Sequence, residues 1–365
     1  MEIIHIILGK ANPDRLNGVN KVVYNLATEQ TMAGKNIQVW GLTDNPVHDY
    51  PERNFKTVLF KASRFPFLID SELKFAIKNK STAIFHLHGG WIPVFSSLAK
   101  YFKKNNIKFV LTPHGAYNEV AMKRSSFTKK IYFHLFEKSL LNSVEKVHSI
   151  GKSEVQGLQT ISKSTSSFLM PYGFQNNQKD IATIKNEDFT IGFAGRLDTH
   201  TKGLDLLMEA FYQFQKENSN SRLWIIGDGE GRAYIENFSK EKKLDNVVMW
   251  GKKFGMEKDE LISKMHVFAH PSRNEGLPTA VLEAAAAGVP TIVTQATNVA
   301  EYVSHFKAGI AIADNDVTAL LGAIQQLYVF YNTNQIASFT MGAKKMLEQV
   351  FSWPVLVEKY DELYN

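Results

Sequence analysis

The chain has 365 residues and no cysteine. That absence excludes disulfides, thiolate zinc sites and cysteine nucleophiles, and leaves the redox compartment undetermined by cysteine usage. Nor does any apolar run approach the ~20 residues of a membrane-spanning helix. The opening Met1-Glu2-Ile3-Ile4-His5-Ile6-Ile7-Leu8-Gly9 has no basic n-region and runs into polar residues. It reads as a first strand, not a signal peptide. A soluble, cytoplasmic protein is expected. Zinc-ligand spacing and a Walker P-loop are also missing, so no metal is expected, and no DNA- or RNA-binding motif makes nucleic acid a partner.

What is present suggests two domains, at roughly 100–200 residues per domain, each with enough apolar sequence for a core. Of 42 Lys and Arg and 36 Asp and Glu in all, residues 1–170 hold 23 and 12, leaving 19 and 24 for the remainder. The first half is therefore basic and the second acidic. Lys100, Lys103, Lys104 and Lys108 form one cluster, and Lys123, Arg124, Lys129 and Lys130 precede the aromatic stretch Ile131-Tyr132-Phe133-His134-Leu135-Phe136. Such a pattern suits an anionic membrane surface or an anionic lipid-linked substrate, and equally a solvated lysine-rich face over a core helix.

Strand-like apolar runs alternate with helical patterns throughout, which predicts α/β architecture with parallel sheets. Strands are expected near 3–8, 37–42, 83–87, 109–112 and 146–150, then near 189–194, 222–226, 247–250, 267–269 and 291–294. The polar segment Gln175-Asn176-Asn177-Gln178-Lys179-Asp180 has no periodicity and reads as the linker. The expected domains are 1–172 and 173–350, with a short amphipathic helix in 351–365.

In such sheets ligands sit at the carboxyl ends of the strands, so the loops there are the first candidates. Residues 265–294 read as a strand, an acidic loop, a helix and a second strand. Pro278 suits the first helical position, and Gly288 with Pro290 ends the helix. Glu275 then lies in the loop and Glu283 in the first turns. The free N–H groups around Gly276 and Leu277 favour an anion such as phosphate, while the two carboxylates suit sugar or ribose hydroxyls. Upstream, Gly195-Arg196-Leu197-Asp198-Thr199-His200-Thr201-Lys202-Gly203 places two cations on a loop before a helix, where they can neutralise a diphosphate. Gly227-Asp228-Gly229-Glu230-Gly231-Arg232 fails the dinucleotide fingerprint because Arg232 takes its last glycine position.

In the first half, Gly18 opens a helix and either admits a ligand to the backbone or makes an ordinary turn. His88 and His114 each close a strand and precede glycine, so each can donate to a sugar hydroxyl or serve structure alone. Asp314-Asn315-Asp316 is a literal Asp-x-Asp in a late polar loop and reads as a turn.

Taken in order, Gly18, His114-Gly115, the Gly195-Arg196…Lys202-Gly203 loop, Gly227-Asp228-Gly229 and the Glu275/Glu283 pair around Gly276-Leu277-Pro278 resemble the retaining family-4 glycosyltransferases of bacterial surface-polysaccharide type. That resemblance spans nearly the whole chain. It implies the GT-B fold: two Rossmann-like domains facing a cleft, the first for acceptor and the second for a nucleotide-sugar donor, with the last helix crossing back to the first. It assigns Arg196 and Lys202 to the diphosphate, Glu283 to the ribose, and Glu275 with the backbone of Gly276 and Leu277 to the donor sugar and phosphate. His114 would lie by the sugar, Gly18 and Gly195 by the donor, and Gly251, within Trp250-Gly251-Lys252-Lys253, by the base. His88 and Asn17 are acceptor-side candidates. The family usually has paired glycines where this chain has Asn17-Gly18.

The activity implied is transfer of a hexose-type sugar from a UDP- or GDP-linked donor to a lipid-linked or oligosaccharide acceptor, with retention and without cofactor or metal. Peripheral attachment to the inner face of the cytoplasmic membrane goes with that reading. The alternatives are a soluble small-molecule acceptor, a sugar-nucleotide epimerase on the same fold, and a nucleotide-sugar-binding subunit without turnover.

Overall fold

The computed structural model describes residues 1–13, 18–118, 122, 126–175 and 185–365. The chain divides into two compact units, Met1–Gly173 with Trp353–Asn365, and Phe174–Ser352. The residues read as a linker lie, from 176 on, outside the described ones. Phe351 is buried in the second unit, where its carbonyl accepts from the Phe174 N–H at 2.8 Å. The second unit runs to Ser352, and the closing helix starts at Trp353.

The first unit contains β1 (Glu2–Leu8), β2 (Asn36–Thr43), β3 (Lys56–Lys61), β4 (Ile84–His88), β5 (Phe109–Thr112), β6 (Val147–Ser149) and β7 (Ser167–Leu169). They pair in parallel in the order β3-β2-β1-β4-β5-β6-β7. After Glu2, β1 is apolar on both faces except at His5. Ile4 and Ile6 belong to the core that also holds Phe85, Leu98 and Phe102, while Ile3 and Ile7 belong to the core shared with the closing helix. That helix, Trp353–Tyr364, buries Trp353, Leu356, Val357, Tyr360, Leu363 and Tyr364.

The second unit contains β8 (Phe189–Ala194), β9 (Ser221–Ile226), β10 (Val247–Gly251), β11 (Val267–His270), β12 (Thr291–Thr294) and β13 (Gly309–Ile312), all parallel, in the order β10-β9-β8-β11-β12-β13. β8, β11 and β12 are buried along their whole length. This is the continuous apolar pattern of strands covered by helices on both faces. Three strands, β3, β7 and β13, were not anticipated; each is an edge strand and only partly buried.

Leu356 is fully buried in the core beneath the closing helix. Leu356→Ala should cost about 2–5 kcal/mol through lost transfer energy and the cavity left behind. A urea midpoint equal to that of the parent protein would show that the helix does not hold the first unit together.

Candidate functional site

Strand order in the second sheet reverses between β8 and β11, so a crevice opens where the loops after those two strands diverge. The loops are locked to one another. Gly203 adopts a left-handed φ of +65°, and a Cβ there would stand 2.0 Å from the Pro271 carbonyl oxygen. Only glycine allows that approach. The Ser272 hydroxyl and the Arg273 N–H both donate to the Thr201 carbonyl, at 2.7 and 2.9 Å. The Arg273 guanidinium then forks onto both Asp205 oxygens at 2.7 Å and reaches the His200 carbonyl and Asn315 Oδ1, each at 2.7 Å. A planar bidentate clamp of this kind fixes geometry as well as charge.

Inside the clamp, the Lys202 ammonium pairs closely with Glu275 Oε2, and His270 Nε2 stands 3.5 Å from the same oxygen. Burial pushes the Glu275 carboxyl up, but His270 and Lys202 together outweigh it and hold the group at about 2. Burial also lowers the His270 pKa, and Glu275 offsets that in part. His270 lies against Phe193 with near-parallel rings 5.7 Å apart. The result is an ionised carboxylate, a paired ammonium and a neutral imidazole at the mouth of the crevice. Glu275 thus accepts hydrogen bonds and does not donate a proton near neutrality.

Beyond Glu275 the helix Thr279–Ala286 begins with Pro278 as its cap, and no side chain caps it. Pro278 was expected inside the helix, but its ψ of 103° is extended, so the helix starts one residue later. The loop is tied down where the Gly276 carbonyl accepts from Asn298 N–H at 3.1 Å, and Leu277 packs against the unit's core. Glu283 Oε1 accepts from Lys258 Nζ at 2.7 Å, both side chains mostly covered.

Gly195 and Gly227 are in similarly tight contact. A Cβ on Gly227, φ +145°, would stand 1.8 Å from the Gly195 carbonyl oxygen, and the Leu197 N–H donates to the Asp228 carbonyl at 3.0 Å. This packing turns the Arg196 side chain outward. It is 73% exposed, with Asp198 3.4 Å away, and so presents its charge to solvent. The Gly251 carbonyl accepts from Gly227 N–H at 2.8 Å at the end of β10, beside half-exposed Trp250. Asp314 accepts from the Ala296 N–H and Asp316 caps the helix Val317–Asn332. Both carboxylates of that Asp-x-Asp thus serve backbone groups, as the turn reading requires.

In the first unit, Gly18 is the exposed first residue of the helix Gly18–Met32, with open space where a Cβ would stand. Asn17 lies outside the described residues. His88 is buried at the end of β4, its nitrogens bonded to His5 at 2.9 Å and His114 at 3.0 Å. Both its ring nitrogens are thus engaged within the chain. His114, with φ +56°, bonds His88 on one nitrogen and the Tyr172 hydroxyl on the other. The following N–H, of Gly115, donates to Glu154 Oε1 at 2.7 Å, and burial lifts that carboxyl to about 7.

His270, Lys258 and Arg273 were missed by sequence reasoning. His270 carried a usable signal, since it closes a strand as His88 does. The other two act through partners far away along the chain.

Two Rossmann-like units and a crevice of this chemistry define the class of GT-B glycosyltransferases. Residues 16–164 match the model for glycosyltransferase family 4 and residues 174–335 that for glycosyl transferases group 1, and the chain belongs to this family. Among curated relatives, WcaL of Escherichia coli, described as a glycosyltransferase of colanic acid biosynthesis, is 30% identical over 43% of this chain and 40% of its own length. The capsular polysaccharide biosynthesis glycosyltransferase CapM of Staphylococcus aureus is 27% identical over 49% of this chain and 47% of its own length. The match thus spans less than half of either relative. A glycosyltransferase from Rickettsia africae (TM-score 0.76, 17% identity, 100% of this chain and 97% of that one) and Anabaena HepE in complex with UDP (0.75, 14%, 100% and 99%) share the fold.

The first unit's buried groups predict an acid-labile protein. Burial lowers His5 and His148 to about 4, His114 to about 3, and His86 and His88 well below the usual 6.5. Between these values and 6.5 the unfolded chain binds protons that the folded chain refuses, so stability falls as pH falls. Glu154 and Glu137, both raised by burial, act in the opposite sense. The five histidines outnumber the two carboxylates, so unfolding takes up protons near pH 5.5 and the net effect is lower stability in acid. The urea midpoint should be lower at pH 5.5 than at pH 7; an equal or higher midpoint would contradict the neutral histidines.

Proposed function

We propose that the protein transfers a hexose-type sugar from a UDP- or GDP-linked donor to a lipid-linked or oligosaccharide acceptor, with retention of configuration, in bacterial surface-polysaccharide assembly. The carrying observation is the pair of ion-paired carboxylates, Lys202–Glu275 and Lys258–Glu283, flanking a helix N-terminus at the switch point of the second sheet. An incoming diphosphate finds cations in Lys202 and Arg196 and N–H donors near Gly276 and Leu277. Negative charge develops on the leaving diphosphate, and these groups stabilise it without a metal. Glu275, held ionised, accepts from the sugar's hydroxyls, and Glu283 from the ribose. Attack on the same face through an oxocarbenium-like state accounts for retention without a carboxylate nucleophile. The curated relatives' roles in colanic acid and capsule biosynthesis support the pathway assignment.

Lys202→Ala and Glu283→Ala should each weaken nucleotide-sugar binding by tenfold or more, read by calorimetry. Undiminished affinity in both would refute the donor site. In the same preparation sugar transfer should persist in EDTA, and conversion of a free nucleotide sugar with no acceptor present would mark an epimerase instead.

A specific observation favours an anionic membrane surface as a second partner of the first unit. The segment from Ser126 through Glu137 exposes Phe127, Ile131 and Leu135 at intervals of four, and exposed Phe65, Phe67 and Leu68 lie nearby, with Phe67 4.4 Å from Phe136. Lys130 and Lys138 are exposed along the same segment. Lys123 and Arg124 lie outside the described residues. Among those described, no helix is long and apolar enough to cross a membrane, so attachment would be to the surface. Co-sedimentation with anionic liposomes should be strong at low salt and fall as salt rises. No binding at low salt would remove this partner.

A further inference from the structure

Five histidines cluster in the first unit: His5 on β1, His86 and His88 on β4 and His148 on β6, all buried, and partly covered His114 just past β5. All ten ring nitrogens are hydrogen-bonded, and together with five other residues they make one unbroken path. From one end it runs Tyr172 hydroxyl to His114 Nδ1, His114 Nε2 to His88 Nδ1 at 3.0 Å, His88 Nε2 to His5 Nδ1 at 2.9 Å, and His5 Nε2 to Gln30 Oε1 at 2.8 Å. It continues from Gln30 Nε2 to the Tyr364 hydroxyl at 3.2 Å and from that hydroxyl to His86 Nδ1 at 3.0 Å. His86 Nε2 meets Thr112 Oγ1 at 2.6 Å, Thr112 Oγ1 meets His148 Nδ1 at 2.9 Å, and His148 Nε2 meets the Met170 carbonyl at 2.7 Å.

We propose that this path is one uncharged, single-direction hydrogen-bond chain in which the Met170 carbonyl sets the tautomer of all five rings, making Gln30 and Tyr364 positioning residues for His114. The direction follows from donor and acceptor capacity alone. A carbonyl cannot donate, so His148 Nε2 carries the proton and its Nδ1 is bare. The Thr112 hydroxyl must donate to that Nδ1, which leaves its oxygen to accept from His86 Nε2. His86 Nδ1 is then bare, the Tyr364 hydroxyl donates to it, and the amide nitrogen of Gln30 donates to Tyr364. That turns Gln30 Oε1 toward His5 and places protons on His5 Nε2, His88 Nε2 and His114 Nε2 in turn, so that His114 Nδ1 accepts from Tyr172.

Every bond in the path has one donor and one acceptor. An added proton would have to set two donors against each other, in keeping with the lowered pKa of all five rings. His5, His86 and His88 also bring one nitrogen each within 4.8 Å of one another, the approach a metal ion would need. An ion there would have to take lone pairs that already receive protons, so the completed chain speaks against it.

A role for this order in sugar transfer rests on the proposed function of His114, whereas the order itself can be read with neither donor nor acceptor present. Histidine-selective 15N NMR on the full chain tests it. Five neutral rings protonated at Nε2 are expected at pH 7, with through-hydrogen-bond nitrogen–nitrogen coupling between His5 and His88 and between His88 and His114. Tyr364→Phe keeps the ring and breaks the link in the middle. His148 should keep its tautomer, while His5, His88 and His114 acquire Nδ1–H population. Thr112→Val, which cuts nearer the carbonyl, should release His86 as well and guards against one variant failing to fold. Any charged ring or Nδ1–H ring in the parent protein, absent couplings, stoichiometric uptake of zinc by the three-histidine cluster, or unaltered His114 signals in both folded variants would overturn the proposal.

Discussion

Parallel strands all deliver their carboxyl ends to one edge of a sheet, and in each unit the chemistry-bearing side chains follow from that constraint. In the second sheet it puts the loop after β8 beside the loop after β11, and the two must then share a narrow space. Gly203 against Pro271 shows how narrow it is, and Gly227 against Gly195 shows the same between the loops after β9 and β8, since a single Cβ at either glycine would meet a carbonyl oxygen. Arg273 consolidates the crowding by joining three backbone segments through one guanidinium. Lys202 and Glu275 are 73 residues apart in sequence yet meet as a consequence of this packing and not of any local motif.

In the first unit the same parallel arrangement acts through alternation. Successive strand residues point to opposite faces, so His5, His86 and His88 share the face of the sheet that the closing helix covers, while Ile4, Ile6, Phe85 and Leu87 share the other. A polar strip beneath a helix must be satisfied internally, because burying unpaired imidazole is costly. Tyr364 and Gln30 supply what the strip needs from two different helices. The closing helix therefore contributes hydrogen bonds as well as apolar area to the first unit.

The central strands were legible because burial on both faces writes itself as a continuous apolar run, as in Phe189–Ala194 and Thr291–Thr294. The edge strands β3, β7 and β13 carry no such signature, unlike the apolar edge strand β10. Lys56–Lys61, Ser167–Leu169 and Gly309–Ile312 are half-covered and mixed in composition, and only their pairing partners define them. Glu275, Glu283, Arg196 and Lys202 were readable as candidates because strand ends are where ligands bind. Their partners were not, since Lys258 meets Glu283 from 25 residues away and Arg273 meets Asp205 from 68. The histidines were weighed singly in sequence, although Ile84-Phe85-His86-Leu87-His88 already alternates with period two and puts two of them on one face.

The charge state of Glu275 bears on what the crevice can do. A carboxylate held near 2 is a poor proton donor at neutral pH, and its partner Lys202 is already compensated. An anionic ligand that draws Lys202 toward itself would weaken that compensation, and the carboxylate would then gain from any hydroxyl offered to it. On the proposed donor site, diphosphate recognition and sugar-hydroxyl recognition would be coupled through this one ion pair. A free nucleoside diphosphate would satisfy only the lysine, whereas a nucleotide sugar would satisfy both members, so the pairing would favour the intact donor over its nucleotide product.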